Sequence, residues 1–214
     1  MSAASATFEA FAGLMSERRS VRQFRPDPVA PEIIERVIEA VRYSPAPTNR
    51  QCFRFIAVSD RLLLQSMSQD VSRRIDEIAG RLEETSAAAF RDYSKWFTFF
   101  DRAPVVLFGA YRSFASRLPS GESDRTLEGL AEIQAFGGAV HALLLGLHAV
   151  GLGSCWMSGP LVAENPLERL LCIEKPWRLG AVIPVGWPAA KPECPKKPAV
   201  RDILSCYPAQ NGGS

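Results

Sequence analysis

The sequence predicts a single α+β domain with a sheet enclosed by helices. Stretches of helical periodicity and stretches of strand character occur without regular βαβ alternation, which separates this class from a parallel doubly wound fold. The 214 residues lie near the roughly 100–200 usual for one domain. A composition of 47% hydrophobic and 22% charged residues supplies a core without compositional disorder. No internal repeat or low-complexity tract divides the chain, so residues 1–214 are read as one unit.

Residues from about Phe8 to Ser16 read as a short amphipathic helix. The basic stretch ERRSVRQFRPDP follows, and its prolines bar helix continuation, leaving a loop or edge strand. Pro31 is a natural first helical residue, and Ile33, Ile34, Val37, Ile38 and Val41 recur at helical spacing until Ser44-Pro45. SPAPTNRQ is dense in turn formers and predicts a loop of specified shape. FRFIAVS alternates and is rich in branched and bulky residues, as a strand of about six residues requires. From Arg61 to about Phe100 the chain reads helical but polar, ending in an aromatic cluster at Tyr93, Trp96, Phe97, Phe99 and Phe100, and a lid-like excursion is expected.

APVVLFGAY reads as a strand buried on both faces, and RSFASRLPSGESDRT as a loop. From about Leu127 to Val150 a long helix is expected, roughly 36 Å at 1.5 Å per residue, with Gly151 as its C-terminal cap. It is apolar nearly all round, so both the core and a second subunit are expected to enclose it. GLGSCWMSGP is a glycine-punctuated turn, LGAVIPVGWP a further strand, PAAKPECPKKPAVRDIL a basic tail, and residues 208–214 a disordered end.

Composition excludes several function classes. A formal charge of +2, without aromatics interleaved among Lys/Arg clusters, argues against nucleic-acid binding. Basic residues concentrate at Arg18 to Arg25 and at Lys191 to Lys197, either converging on a small anion or forming two solvated patches. The N-terminus lacks the pattern of a secretory signal. Five scattered cysteines without CxxC spacing fit neither a disulfide framework nor a zinc site, and a cytoplasmic location is expected. The apolar segment Phe136 to Trp156 approaches the length of a membrane span. His141, His148 and several glycines interrupt it, so a buried helix and no membrane are expected.

Four motifs become informative together: RRSVR, SPAPTNRQ leading into FRF, GLGSCWMSG, and VGWP with a basic tail. In order and spacing along nearly the whole chain they resemble the nitroreductase family of FMN enzymes. The resemblance implies a nitroreductase-like fold with a central mixed sheet surrounded by helices. It further implies a homodimer with long interface helices, one FMN at each interface site, and electrons passing from NAD(P)H through flavin to a small aromatic or quinone-like acceptor by a ping-pong mechanism. The chemistry then belongs to the flavin N5, and no catalytic side chain is assigned.

Carried over residue by residue, the resemblance makes Arg18 and Ser20 the phosphate binders, with Lys197 and Lys196 closing from the tail. An arginine fork and a hydroxyl supply the cation and donors that a phosphate needs. Arg19 joins them or faces solvent. Arg22 is expected against the pyrimidine edge of the ring, where a fixed cation favours the reduced state. Pro45, Ala46, Pro47 and Asn49 are expected at the flavin from the partner subunit, with Gln51 bonding nearby, although Asn49 could instead cap its own turn. Met157, Ser158 and Gly159 are expected beside the ring, with a backbone N–H directed to N5 and O4, because glycine permits close approach. Two departures stand out: Cys52 replaces a common proline, and Ser158 stands where several relatives carry glutamate.

GLGS lacks the third glycine and the preceding strand of a dinucleotide fingerprint. NAD(P)H is therefore expected to use the same open face as the acceptor. Two other classes compete: a thiol enzyme pairing Cys155 with His141 or His148, and a non-catalytic flavin carrier or sensor. Steady turnover with NAD(P)H separates enzyme from carrier.

Overall fold

The computed structural model describes residues 3–112 and 129–206. The loop expected after Arg112, the first two residues of the helix expected from Leu127, and the disordered end expected over 208–214 lie outside the described residues. Strands β1 (Phe53–Val58), β2 (Val105–Arg112), β3 (Gly153–Ser154) and β4 (Trp177–Gly186) form one sheet in the order β1-β2-β4-β3. Every ladder is antiparallel. The expected mixed character is confined to one parallel bridge, Ser20 to Ser154, because the N-terminal basic stretch pairs as a single contact and not as a strand.

Helices cover both faces of the sheet, so the central strands β2 and β4 carry near-continuous apolar runs. On one face lies α5 (Leu130–Ala149), burying Phe136, Ala139, Val140, Leu143, Leu144 and Leu147 against Leu107, Ala181 and Ile183. Phe136 sits in a notch made by two glycines. A Cβ on Gly109 would come 2.9 Å from its ring, and one on Gly180 2.6 Å. The β2–β4 register shifts beside this notch, between Gly109 and Ala110. By length and composition α5 is apolar enough to cross a membrane, and here its buried side chains pack on the sheet. It ends at Gly151, whose φ of 84° is the left-handed cap that glycine tolerates. Helix α2 (Pro31–Val41) packs beside α5, with Val37 against Gly146.

The opposite face carries α3 (Arg61–Ala79), which begins where Asp60 accepts hydrogen bonds from the amides of Leu62 and Leu63 at 2.9 and 3.1 Å. Its Leu64, Met67, Val71, Ile75 and Ala79 are buried at helical spacing, which corrects the expectation of a lid-like excursion over 61–100. The first half of that segment is core. Tyr93 of α4 (Glu84–Ser94) and the aromatic residues after it line one cavity, while Asp70, Arg73, Arg74 and Glu77 on the outer side of α3 line another. Helix α1 (Ala3–Glu17) leads into the basic stretch. The unanticipated α6 (Glu164–Leu170) ties to β4 through Glu168, which accepts from the Leu179 amide at 2.8 Å.

Candidate functional site

The stretch after α1 is held extended by bonds to two later segments. Val21 N–H donates to Ser154 at 3.0 Å, Arg25 N–H to Trp187 at 2.8 Å, and Ala189 N–H to Gln23 at 3.0 Å. Val21 packs so closely on Gly153 that a Cβ there would lie 2.8 Å away. RRSVR is thus fixed beside the turn after α5, with cavities at both ends.

The first cavity, about 280 Å³, lies between the end of α1, the last turn of α5 and the chain after β4. Arg18, Arg19, His148 and Lys191 line it, opposed by one carboxylate, Glu17. One Arg19 nitrogen donates to the carbonyls of Ser16 and Arg18 at 2.6 and 2.8 Å, capping α1. Its Nε is buried without a hydrogen-bond partner among the described residues. Lys191 enters from the tail, whereas Lys196 and Lys197 are exposed and border neither cavity. Burial pulls the His148 pKa down from its ordinary value; Glu17 opposes this, and Arg18, Arg19 and Lys191 reinforce it.

The second cavity, about 340 Å³, brings Arg22 together with Cys155, Met157, Ser158 and Gly159 beneath Tyr93, Trp96, Phe97, Phe99 and Trp156. Tyr93 and Trp96 are 69% and 54% exposed, so this end carries open aromatic surface. Phe97 presses on Gly159, where a Cβ would come within 2.2 Å. The Met157 amide is committed to Val182 at 2.9 Å and its carbonyl accepts from Val182 at 3.1 Å. Of Met157, Ser158 and Gly159, only Ser158 and Gly159 keep amides without a partner among the described residues.

Burial raises the Cys155 pKa, with Arg22, Ser20 and Arg18 pulling the other way, so the thiol is not activated. His148 borders the other cavity and His141 lies exposed on α5. The Cys155–histidine pair is therefore not assembled.

The proline loop lies elsewhere. Residues Pro47–Asn49 form a 3-10 turn, closed by Asn49 N–H to Ala46 at 3.0 Å and Arg50 N–H to Pro47 at 3.0 Å. Thr48 and Asn49 hold φ of 51° and 56°, which asparagine tolerates but a β-branched threonine adopts under strain. Pro45, Asn49 and Gln51 are exposed, and Ala46 and Pro47 half-buried. The loop is anchored by the wholly buried Cys52, whose Sγ donates to the Glu132 carbonyl at 3.9 Å. Glu132 is in the first turn of α5 and His148 in the last. Those sixteen residues put about 24 Å between the loop's anchor and the arginine cavity. Within one chain, the proline loop and the arginine cavity lie at opposite ends of α5.

The model of the Nitroreductase family matches residues 15–187. The chain is 29% identical to iodotyrosine deiodinase of Danio rerio over 92% of its own length, and spans 66% of that protein. A BluB-like flavoprotein from Clostridium difficile 630 superposes with a TM-score of 0.83 at 25% identity, covering 92% of this chain and 99% of that one. An oxidised iodotyrosine deiodinase bound to FMN and 3-iodo-L-tyrosine superposes with a TM-score of 0.68 at 22% identity, covering 88% and 96%.

Proposed function

The chain belongs to the nitroreductase family, and on that premise we propose that it is an FMN-dependent oxidoreductase. We infer that it works as a cytoplasmic homodimer, taking electrons from NAD(P)H and passing them to a small aromatic or quinone-like acceptor in alternating half-reactions. One observation carries the reading: a single extended segment, Arg18 to Arg22, runs from a cationic cavity to an aromatic one. Four residue steps of an extended chain cover about 13 Å, a length suited to a ribityl phosphate. The donor set also fits, with arginines at one end and free amides beside a flat apolar wall at the other.

FMN supplies the two-electron chemistry when bound. Arg18 would hold its phosphate and Arg22 would hold a positive charge against the polar edge of the ring; Ser20, expected as a second phosphate binder, lies between them with its side chain hydrogen-bonded to Cys155 and does not line the cationic cavity. The Ser158 and Gly159 amides orient the ring, while Met157 and the aromatic wall of Trp96 and Trp156 exclude water and present flat surface to a planar acceptor. Pro45, Ala46, Pro47, Asn49 and Gln51 of a second copy complete the site, which accounts for their distance within one chain. Exposed Phe8 and Phe11 on α1, Ile133 on α5, and Val200, Ile203 and Leu204 in the tail supply apolar surface for that association. Relatives support the cofactor: one deiodinase structure contains FMN, and the BluB-like neighbour is a flavoprotein.

The protein should purify yellow with non-covalent FMN and a dimeric mass, and should oxidise NADH or NADPH with quinones or nitroarenes. Released cofactor that chromatographs as FAD, or a folded monomer retaining FMN, would refute the reading. Tight FMN binding without turnover for any donor and acceptor would instead identify a carrier.

A further inference from the structure

Trp156 stands between two cavities, and the flavin reading uses only one of them. Beside the aromatic cavity of about 340 Å³ lies another of about 320 Å³, between the start of α5 and the paired ends of β2 and β4. Among the described residues lining the two, Trp156 alone belongs to both. We propose that the Trp156 indole is the wall that sets acceptor size, confining the acceptor to the aromatic cavity and keeping its rings out of the second. The inference rests on the flavin reading of the aromatic cavity and narrows its acceptor class to compact, uncharged aromatics.

The backbone leaves Trp156 little freedom. Cys155 N–H donates to the Pro184 carbonyl at 3.4 Å, and Met157 exchanges bonds with Val182 at 2.9 and 3.1 Å, so both neighbours are pinned to β4. Cys155 and Met157 point into the core at 4% and 6% exposure, and alternation along an extended segment turns Trp156 outward, 42% exposed. On α5 the indole meets Gly137: a Cβ built there would lie 3.7 Å from its Cη2, an ordinary contact. The side chain therefore reaches from the β4 side to the α5 backbone and spans the gap between the cavities.

The second cavity suits a ring better than an ion. Tyr111 and Phe136 give it two rings 5.5 Å apart and tilted by 33°, with Leu161 and Leu179 beside them. Its charged side chains among the described residues, Arg178 and Glu164, satisfy each other through two bonds of 3.1 and 3.2 Å. A ring sliding past a shortened Trp156 would find aromatic contact there and no unpaired charge.

The test compares a one-ring and a three-ring acceptor, nitrobenzene and 2-nitrofluorene, in FMN-loaded wild type, Trp156→Ala and Trp156→Phe. Dissociation constants are measured on the oxidised protein without NAD(P)H, and kcat/KM with it. Trp156→Ala joins the cavities, so the affinity for 2-nitrofluorene relative to nitrobenzene should rise about tenfold, equivalent to about 1.4 kcal/mol, and kcat/KM should follow through KM. Nitrobenzene, which loses a flat wall, should gain nothing. Trp156→Phe keeps a ring and should raise the ratio less. Adding Gly137→Leu to Trp156→Ala refills the gap from the α5 side and should bring the ratio back towards the wild-type value, a response that a purely structural tryptophan would not give.

An unchanged ratio in both Trp156 variants, or an equal change for the two acceptors, would overturn the inference. If Trp156→Ala does not fold, the ratio in Trp156→Phe decides alone. Protein that holds no FMN or transfers no electrons would defeat the flavin reading alone, since the same dissociation constants, measured on the protein as purified, still decide the wall.

Discussion

Arg18 and Arg22 are four residues apart, yet the fold sends them to different cavities, so their substitutions should separate. Arg22→Gln keeps length and some hydrogen bonding while removing a cation from the ring end. FMN should still bind, but the midpoint potential should fall by about 30 mV or more, since charge added on reduction loses its counterion. Arg18→Gln should chiefly weaken FMN binding and leave the potential alone. Equal effects of both variants on affinity, with an unchanged potential, would make Arg22 only another phosphate or surface cation. Cys155 is a buried, unactivated thiol, so Cys155→Ser should leave turnover within about tenfold. Loss of turnover with normal FMN content would revive the thiol mechanism.

At the scale of elements, the tightest joint is Phe136 of α5 seated on Gly109 and Gly180 of neighbouring strands. Phe136→Ala empties that notch and should cost about 3–5 kcal/mol of unfolding free energy in a denaturant titration; a loss below about 1 kcal/mol would show that the helix is not held there. Strand and helix positions were legible wherever burial imposes a period, as in α2, β1, β2, α5 and β4. The polar residues between buried positions of α3 disguised a core helix as an excursion. Helix α6, at seven residues, offers too short a period to stand out. Of the candidate site, the arginine motif and glycine turn were legible because their chemistry is local. The entry of Lys191 and His148 into one cavity was not, because it depends on how the tail returns over the end of α5. The loss of the Met157 amide to Val182 is likewise a tertiary event, invisible in GLGSCWMSG.

For the whole molecule, the central claim is that the flavin site needs two chains, because its proline loop and its arginine motif lie at opposite ends of α5. In a two-fold dimer each site would take RRSVR from one copy and SPAPTNRQ from the other. Subunits carrying Arg18→Gln and Arg22→Gln should lose FMN, and so should subunits carrying Pro47→Asp and Asn49→Ala, each alone keeping a dimeric mass. The decisive measurement is bound FMN after the two defective proteins are unfolded together and refolded in equal amounts. Random reassortment gives heterodimers with one intact site, so FMN content should recover to about a quarter of the wild-type value. No recovery, with heterodimers demonstrably formed, would mean that each chain builds its site alone and would contradict the account.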